Sequence, residues 1–300
     1  MHCTQHDSLL TTPDVWKKLG RVDRDLAQAL ERPLALIPAL PGRDLTIFSP
    51  GDLPAKMGLS FAEGQARMLH DLASIELQAL ELGFRTLLEF PEAPSGFREE
   101  LARVTASEAV HLRLCLEALQ DLGFPWGTWP VHTALWQSVD VNDSLLDRIL
   151  IVHRYLEGSG LDAGETLLRR LAGVAEGPAH PVVRQIFREE VEHVEFGSRW
   201  YREICRIEKI DPRDDFPKRF AGLRHRVPKR LEKISRELRL QAGFTDEEIS
   251  FLEQQRTSMQ KFSPQKPESA LRELPPRGES QSQLAESLAS PRTLLCGPHD

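Results

Sequence analysis

The chain has 300 residues, 40% of them hydrophobic, which is enough to bury a sizeable core. Its net charge of −7 argues against bulk affinity for nucleic acid, and no apolar run reaches the roughly 18 residues that span a bilayer. The four cysteines, Cys3, Cys115, Cys205 and Cys296, are far apart and form no CxxC, and the N-terminus has no signal-peptide pattern. These features disfavour a disulfide framework or a zinc knuckle and point to a reducing, cytoplasmic setting.

Leu, Ala, Glu and Arg dominate, Tyr is scarce, and no strand-like alternation or hairpin turn signal stands out, so the expected fold class is all-α. Residues 1–59 form a Pro-interrupted N-terminal extension, "ERPLALIPALPGRDLTIFSPGDLPAK" among them, expected as short helices and a strap over the body. Residues 60–210 carry four long segments of helical periodicity. The first runs from Ser60, an N-cap candidate with Glu63 three residues on, to the residue before Pro91. The second, "GFREELARVTASEAVHLRLCLEALQDLGF", stops around Gly123, Phe124 and Pro125. The third, "DSLLDRILIVHRYLEGSG", is expected to end at Gly158 or Gly160, with a further short helix in "DAGETLLRRLAGVAEG". The fourth begins near Pro181, a residue suited to a first helical turn, and contains "REEVEHVEFGSRW". Residues 211–256 read as a basic C-terminal helical extension, and residues 257–300 as a disordered tail too poor in apolar residues to order itself.

The chemistry concentrates in two Glu-x-x-His pairs, Glu108/His111 and Glu190/His193. Residues three apart share a helix face, so each pair can aim a carboxylate and an imidazole at one point. Each pair follows a helix with a glutamate on an otherwise apolar face, Glu76 before the first and Glu157 before the second. The whole triplet therefore recurs after 81 or 82 residues. Buried carboxylates need partners. Glu from two helices and Glu-x-x-His from two others is the ligand pattern of a di-metal centre in a four-helix bundle. Four carboxylates and two neutral imidazoles balance two divalent cations, and a donor set without thiolate favours iron or manganese over copper or a structural zinc site. Glu189, four residues before His193, can replace Glu190 on spacing alone. Ser107 at the equivalent place in the first pair favours Glu190. A bundle of this kind needs a long crossover, which residues 112–156 supply through "GFPWGTWPVHTALWQSVDVND".

Other residues have plainer readings. His70, His132 and His153 are expected as hydrogen-bonded packing residues, Cys115 as a small buried hydrophobe, and Trp126, Trp129 and Trp136 as a cap on the bundle. Gly197, one turn past His193, leaves room for a neighbouring helix. Residues 213–239 are rich in Lys and Arg. Their first reading is a solvated face, and they leave a nucleic-acid partner open against the unfavourable net charge.

With these residues in view, "LHDLASIELQALELGF", "ASEAVHLRLCLEALQDLGF", "HRYLEGSGLD" and "REEVEHVEFGSRWYREIC" resemble a bacterial ferritin-like family known as domain of unknown function 455. The resemblance runs from about Pro33 to Glu248. It implies a ferritin-like four-helix bundle with a di-metal carboxylate centre on Glu76, Glu108, His111, Glu157, Glu190 and His193. One departure is that the family commonly reads His-Ile-Glu before the first ligand, where this chain has Ser74, Ile75 and Glu76. The expectation is an oxidoreductase that activates dioxygen or peroxide on two iron or manganese ions to oxidise or hydroxylate an organic substrate. The alternative is a non-catalytic ferroxidase, metal-binding or oxidant-scavenging role. The Pro-rich strap and extra helices favour a monomer or dimer over a closed cage, with no membrane partner.

Overall fold

A computed structural model describes residues 7–33, 36–229 and 232–261. Among the described residues the secondary structure is helical, with no strand beyond one isolated parallel bridge between Ile47 and Val131. None of their helices is long and apolar enough to cross a membrane. The tail expected from residue 257 falls outside the described residues after Lys261.

Two short helices, α1 (Val15–Leu19) and α2 (Val22–Glu31), open the chain, followed by an irregular strap. Four long helical rods then make the body. They are α3 (Ala62–Glu89), α4 (Ser95–Asp121), a rod built from α5 (Leu145–Ile149) through α6 (Gly158–Leu171), and α7 (Ala179–Glu208). Helix α3 packs along α4, α4 against α7, and α7 against the α5–α6 rod. Leucines and isoleucines on the facing sides, such as Leu69, Leu80, Leu112, Ile151 and Ile186, are fully buried and form one continuous core.

The ends of these helices follow local chemistry, with two departures from expectation. Ser60 does not cap α3. Phe61 holds the N-cap position without a side-chain hydrogen bond, because Gly64 presses against the backbone of Gly58 and Gln65 donates to the Leu59 carbonyl. The strap thus turns tightly into the helix. Helix α4 ends as expected, with Gly123 at φ +83° and Phe124 N–H donating to the Leu119 carbonyl, the pairing of a left-handed C-terminal cap.

The second departure is larger. Gly158 and Gly160 do not stop the third helix. The chain passes from α5 through eight π-helical residues, Leu150–Glu157, directly into α6. Gly158 serves close approach instead, since a Cβ there would lie 2.3 Å from Nη1 of Arg239. Gly164 does the same for Phe187, where a Cβ would lie 2.0 Å from the ring. Its counterpart 81 residues earlier, Gly83, makes room for Thr105 in the same way. The repeat seen in the ligand triplets therefore extends to the packing of each helix pair.

The outer segments are fastened by buried ion pairs. Lys18 of α1 and Arg43 of the strap both bind Glu81 of α3, the lysine at 2.5 Å, and burial pushes the Lys18 pKa down. The C-terminal helices α8 (Pro212–Leu223), α9 (Arg236–Gln241) and α10 (Asp246–Lys261) fold back on the body. Asp162 of α6 takes Arg239 and Arg256, each at 2.7 Å, and accepts the Ser235 N–H at 3.0 Å. Several cations of the basic stretch are engaged internally: Arg219 with Asp147 and Asp215, Arg226 with Asp143, and Arg236 with Asp246 and Glu253.

Candidate metal centre

Helices α4 and α7 pack against one another, and each turns its Glu-x-x-His pair toward the other. Glu108, His111, Glu190 and His193 are all buried, and one ligand atom from each lies within 4.8 Å of the others. Nδ1 of His193 stands 2.9 Å from Glu108 Oε1 and 3.3 Å from Glu190 Oε1. Nδ1 of His111 stands 3.4 Å from the same Glu190 oxygen and 3.7 Å from Glu108 Oε2. The group could hold a metal ion. Both carboxylates therefore sit between the two imidazoles, whose ring centroids are 5.4 Å apart.

The single glutamates approach from the other two rods. Glu76 of α3 places Oε2 3.5 Å from His111 Nδ1. Glu157 ends the π-helical turns and lines the same cavity as Glu76, Glu108 and Glu190. A π-helical stretch is rare and is often found where function constrains a helix. Here it carries His153, whose Nδ1 lies 2.8 and 3.0 Å from the two oxygens of Glu157. A Cβ on Gly197 would lie 2.4 Å from the Cβ of His153, so that glycine is what lets the π-helical turn seat against α7. Glu189 takes no part in the central group. Its Oε2 is 2.9 Å from Nε2 of His111, on the side of the ring away from the other glutamates.

These contacts do not satisfy the centre by themselves. Both oxygens of Glu108 and the Nδ1 atoms of His111 and His193 are buried and make no hydrogen bond, although they lie close together. Such atoms are costly to bury unless a further partner is present. The electrostatics agree. Burial lifts the Glu76 pKa well above the usual carboxylate range, with Glu108 and Glu190 adding to the rise and His111 opposing it. Burial also raises Glu157, against the pull of His153. Burial opposes charge on Glu108 as well, but the two imidazoles outweigh it and bring its pKa down. Surrounding carboxylates overcome burial to raise both His111 and His193. The centre thus carries strong negative potential that only protons or cations can offset, and its oxygen and imidazole donors fit hard or borderline divalent ions.

The site can now be set beside known proteins. Residues 8–250 match the family described as Protein of unknown function (DUF455). The chain belongs to this family. All six candidate ligands, with His153 and Glu189, fall inside the part shared with DUF455 proteins. An uncharacterized protein of Haemophilus influenzae is 31% identical over 226 residues, covering 72% of this chain and 76% of that protein. No solved structure matches the chain.

Two features of the site were not assigned from sequence. His153 is hydrogen-bonded as expected, and the sequence leaves only the identity of its partner, Glu157, unassigned, although their i, i+4 spacing on one helix face is a usable signal. The partnership between Glu189 and His111 joins residues 78 positions apart and left no local signature. His70 and Cys115 keep their plainer roles. The His70 ring stacks on Trp126 and its Nε2 accepts the Gly127 N–H, while Cys115 is fully buried. Trp136 is buried and donates to the Ala39 carbonyl, tying the crossover to the strap.

Proposed function

We propose that this chain is a ferritin-like four-helix bundle whose centre binds two divalent metal ions, iron with manganese as the alternative, on Glu76, Glu108, His111, Glu157, Glu190 and His193. We read it as an oxidoreductase that uses dioxygen or peroxide to oxidise or hydroxylate an organic substrate. The observation that carries the metal reading is the set of buried ligand atoms that converge without hydrogen bonding to one another. Four carboxylates would neutralise two +2 ions, with Glu108, Glu190 and both imidazoles as the donors that already converge.

When bound, the metals would supply the redox chemistry, and the protein's own residues would govern geometry and access. Glu189 would hold the proton on Nε2 of His111 and so present Nδ1 as a lone pair to the centre, the role a carboxylate beside a ligand histidine usually plays. His153 would orient Glu157. Buried leucines and isoleucines around the group would keep bulk water from the reacting atoms.

The cavity favours an enzyme over a storage or scavenging protein. About 370 Å³ of space, walled mainly by apolar side chains, adjoins the four glutamates, and iron sequestration alone needs no such pocket. The elements outside the four rods also speak against close packing into a cage, so we read the assembly as a monomer or dimer.

Anaerobic titration with Fe(II) tests the metal reading, with about two equivalents per chain expected from the six-ligand set. Glu157→Ala and His193→Ala should each abolish paired loading. Unchanged stoichiometry in both variants would overturn the ligand assignment. Dioxygen uptake by the loaded protein then separates an oxidase from a passive binder.

A further inference from the structure

The cavity beside the centre is a slot between the two rods that carry the single glutamates. Helix α3 packs on α4 and the α5–α6 rod packs on α7, but α3 and α6 do not close on one another. Glu76, Glu108, Glu157 and Glu190 line the deep part, and Met68, Leu72, Ala163, Leu167 and Phe187 are among its walls.

The other end is cationic. Arg67 lies nine residues before Glu76, about 13 Å along the helix axis, and Arg170 lies thirteen residues after Glu157, about 20 Å along its own. They share one end of the slot, because Gly177, just past α6, sits against Gln65 near the start of α3. Lys56 of the strap lines this end too. Arg67 is only 3% exposed, and its Nε donates to Asp71 at 2.9 Å while both Nη atoms are buried without a hydrogen-bond partner. Its guanidinium also rests 5.6 Å from the ring of Trp129. The acidic residues at this end are Asp71, shared between Arg67 and Lys56, and Glu232. Arg170 is exposed, and Met57 and Ile75 form an apolar rim, 42% and 40% exposed.

Three cations at one end of an apolar slot suit a carboxylate: the exposed Lys56 and Arg170 are open to a charge-assisted contact, and Arg67 stands behind them with its guanidinium buried between Asp71 and Trp129. We propose that the slot binds an amphiphile with one carboxylate head at Lys56 and Arg170, in front of the buried charge of Arg67, and an aliphatic chain running toward the four glutamates. This names the substrate class of the proposed oxidoreductase and in that respect rests on that reading; binding of the head itself, about 13 Å along the helix from Glu76, does not. The span along α3 matches an extended chain of roughly ten carbon–carbon bonds of about 1.5 Å, allowing for their zigzag.

Calorimetric titration of decanoate, decanol and decylamine into the Mn(II)-treated full chain tests the proposal. Decanoate should bind saturably, and decanol roughly tenfold more weakly or worse, as expected for loss of a charge-assisted hydrogen bond. Arg67→Gln should reduce the preference for decanoate. Arg170→Glu, at an exposed side chain where folding is not at stake, should weaken decanoate and leave decanol unchanged. Equal binding of decanoate and decanol, no saturable binding of either, or an unchanged decanoate affinity in Arg170→Glu would overturn the proposal. Metal content is read on the same samples. A chain that holds two Mn(II) but ignores decanoate contradicts the slot alone. One that binds decanoate selectively without metal supports the slot and contradicts the metal assignment.

Discussion

Nε2 of His111 lies 2.9 Å from a carboxylate oxygen of Glu189, while the next residue in the chain, Glu190, sets its own oxygen 3.4 Å from Nδ1 of the same ring. Two consecutive glutamates of α7 therefore address the two nitrogens of one imidazole on α4. One faces the centre and the other fixes the ring from behind. Carboxylate partners of this kind set tautomer and orientation, and their loss typically weakens metal binding by about 10- to 100-fold. We expect Glu189→Ala to fall in that range by metal titration with folding unchanged, because Glu189 sits at the half-exposed edge of the site. An unaltered affinity would remove Glu189 from the account.

Gly197 makes a second, sharper prediction. Its missing side chain is the space that the Cβ of His153 needs, 2.4 Å from where a Cβ would sit. Gly197→Ala should displace His153 and with it Glu157, at a cost of about 1–3 kcal/mol for overpacking. Metal uptake should drop from two ions per chain toward one, the ion served by Glu76 being spared. Full loading at unchanged stability would show that the π-helical turn has slack to move.

Acid should weaken the fold through His70. Burial presses its pKa from 6.5 down to about 4, so the unfolded chain takes up a proton that the folded chain refuses until lower pH. Stability is complete above pH 6.5 and is lost as pH falls toward 4, because the unfolded state binds more protons in that window. By about pH 5 the loss from this group is on the order of 2 kcal/mol. Unfolding free energies from urea titrations at about pH 7 and about pH 5 should differ by that much more in the wild type than in His70→Gln. Equal differences would discount His70 as an acid-sensitive position.

Asp162 and Glu248 both carry ion pairs between the C-terminal helices and the body, Glu248 with Arg154. Asp162 is buried and pairs with both Arg239 and Arg256. Removing it leaves two guanidinium groups without their charge partner, and breaking a buried pair costs about 3–5 kcal/mol. Asp162→Ala should lower the denaturant midpoint accordingly and expose the junction of α6 with α9 and α10 to proteolysis.

Much of this arrangement was legible in the residue order. Spacing alone placed Glu108 with His111 and Glu190 with His193 on single helix faces. The 81- and 82-residue recurrence put Glu76 and Glu157 in matching positions before them. The structure adds Gly83 against Thr105 and Gly164 against Phe187, packing contacts that follow the same shift. The third rod was harder to read, because Gly158 and Gly160 are the usual signal for a helix end. Here tertiary contact overrides that signal, since Gly158 is spared a side chain for Arg239, a residue 81 positions later that local sequence cannot reveal. The slot between α3 and α6 was not readable either, because a gap between helices depends on which pairs pack and leaves no periodicity of its own.

The claim on which the account rests is that the convergent carboxylates and imidazoles hold a pair of cations. Anomalous diffraction at the metal edge from crystals of Fe- or Mn-loaded protein addresses it directly. Two peaks are expected between Glu108 and Glu190, one toward Glu76 and His111 and one toward Glu157 and His193, each about 2 Å from its ligand atoms. Fully loaded protein whose peaks lie elsewhere, or with no peak among these six side chains, would contradict it.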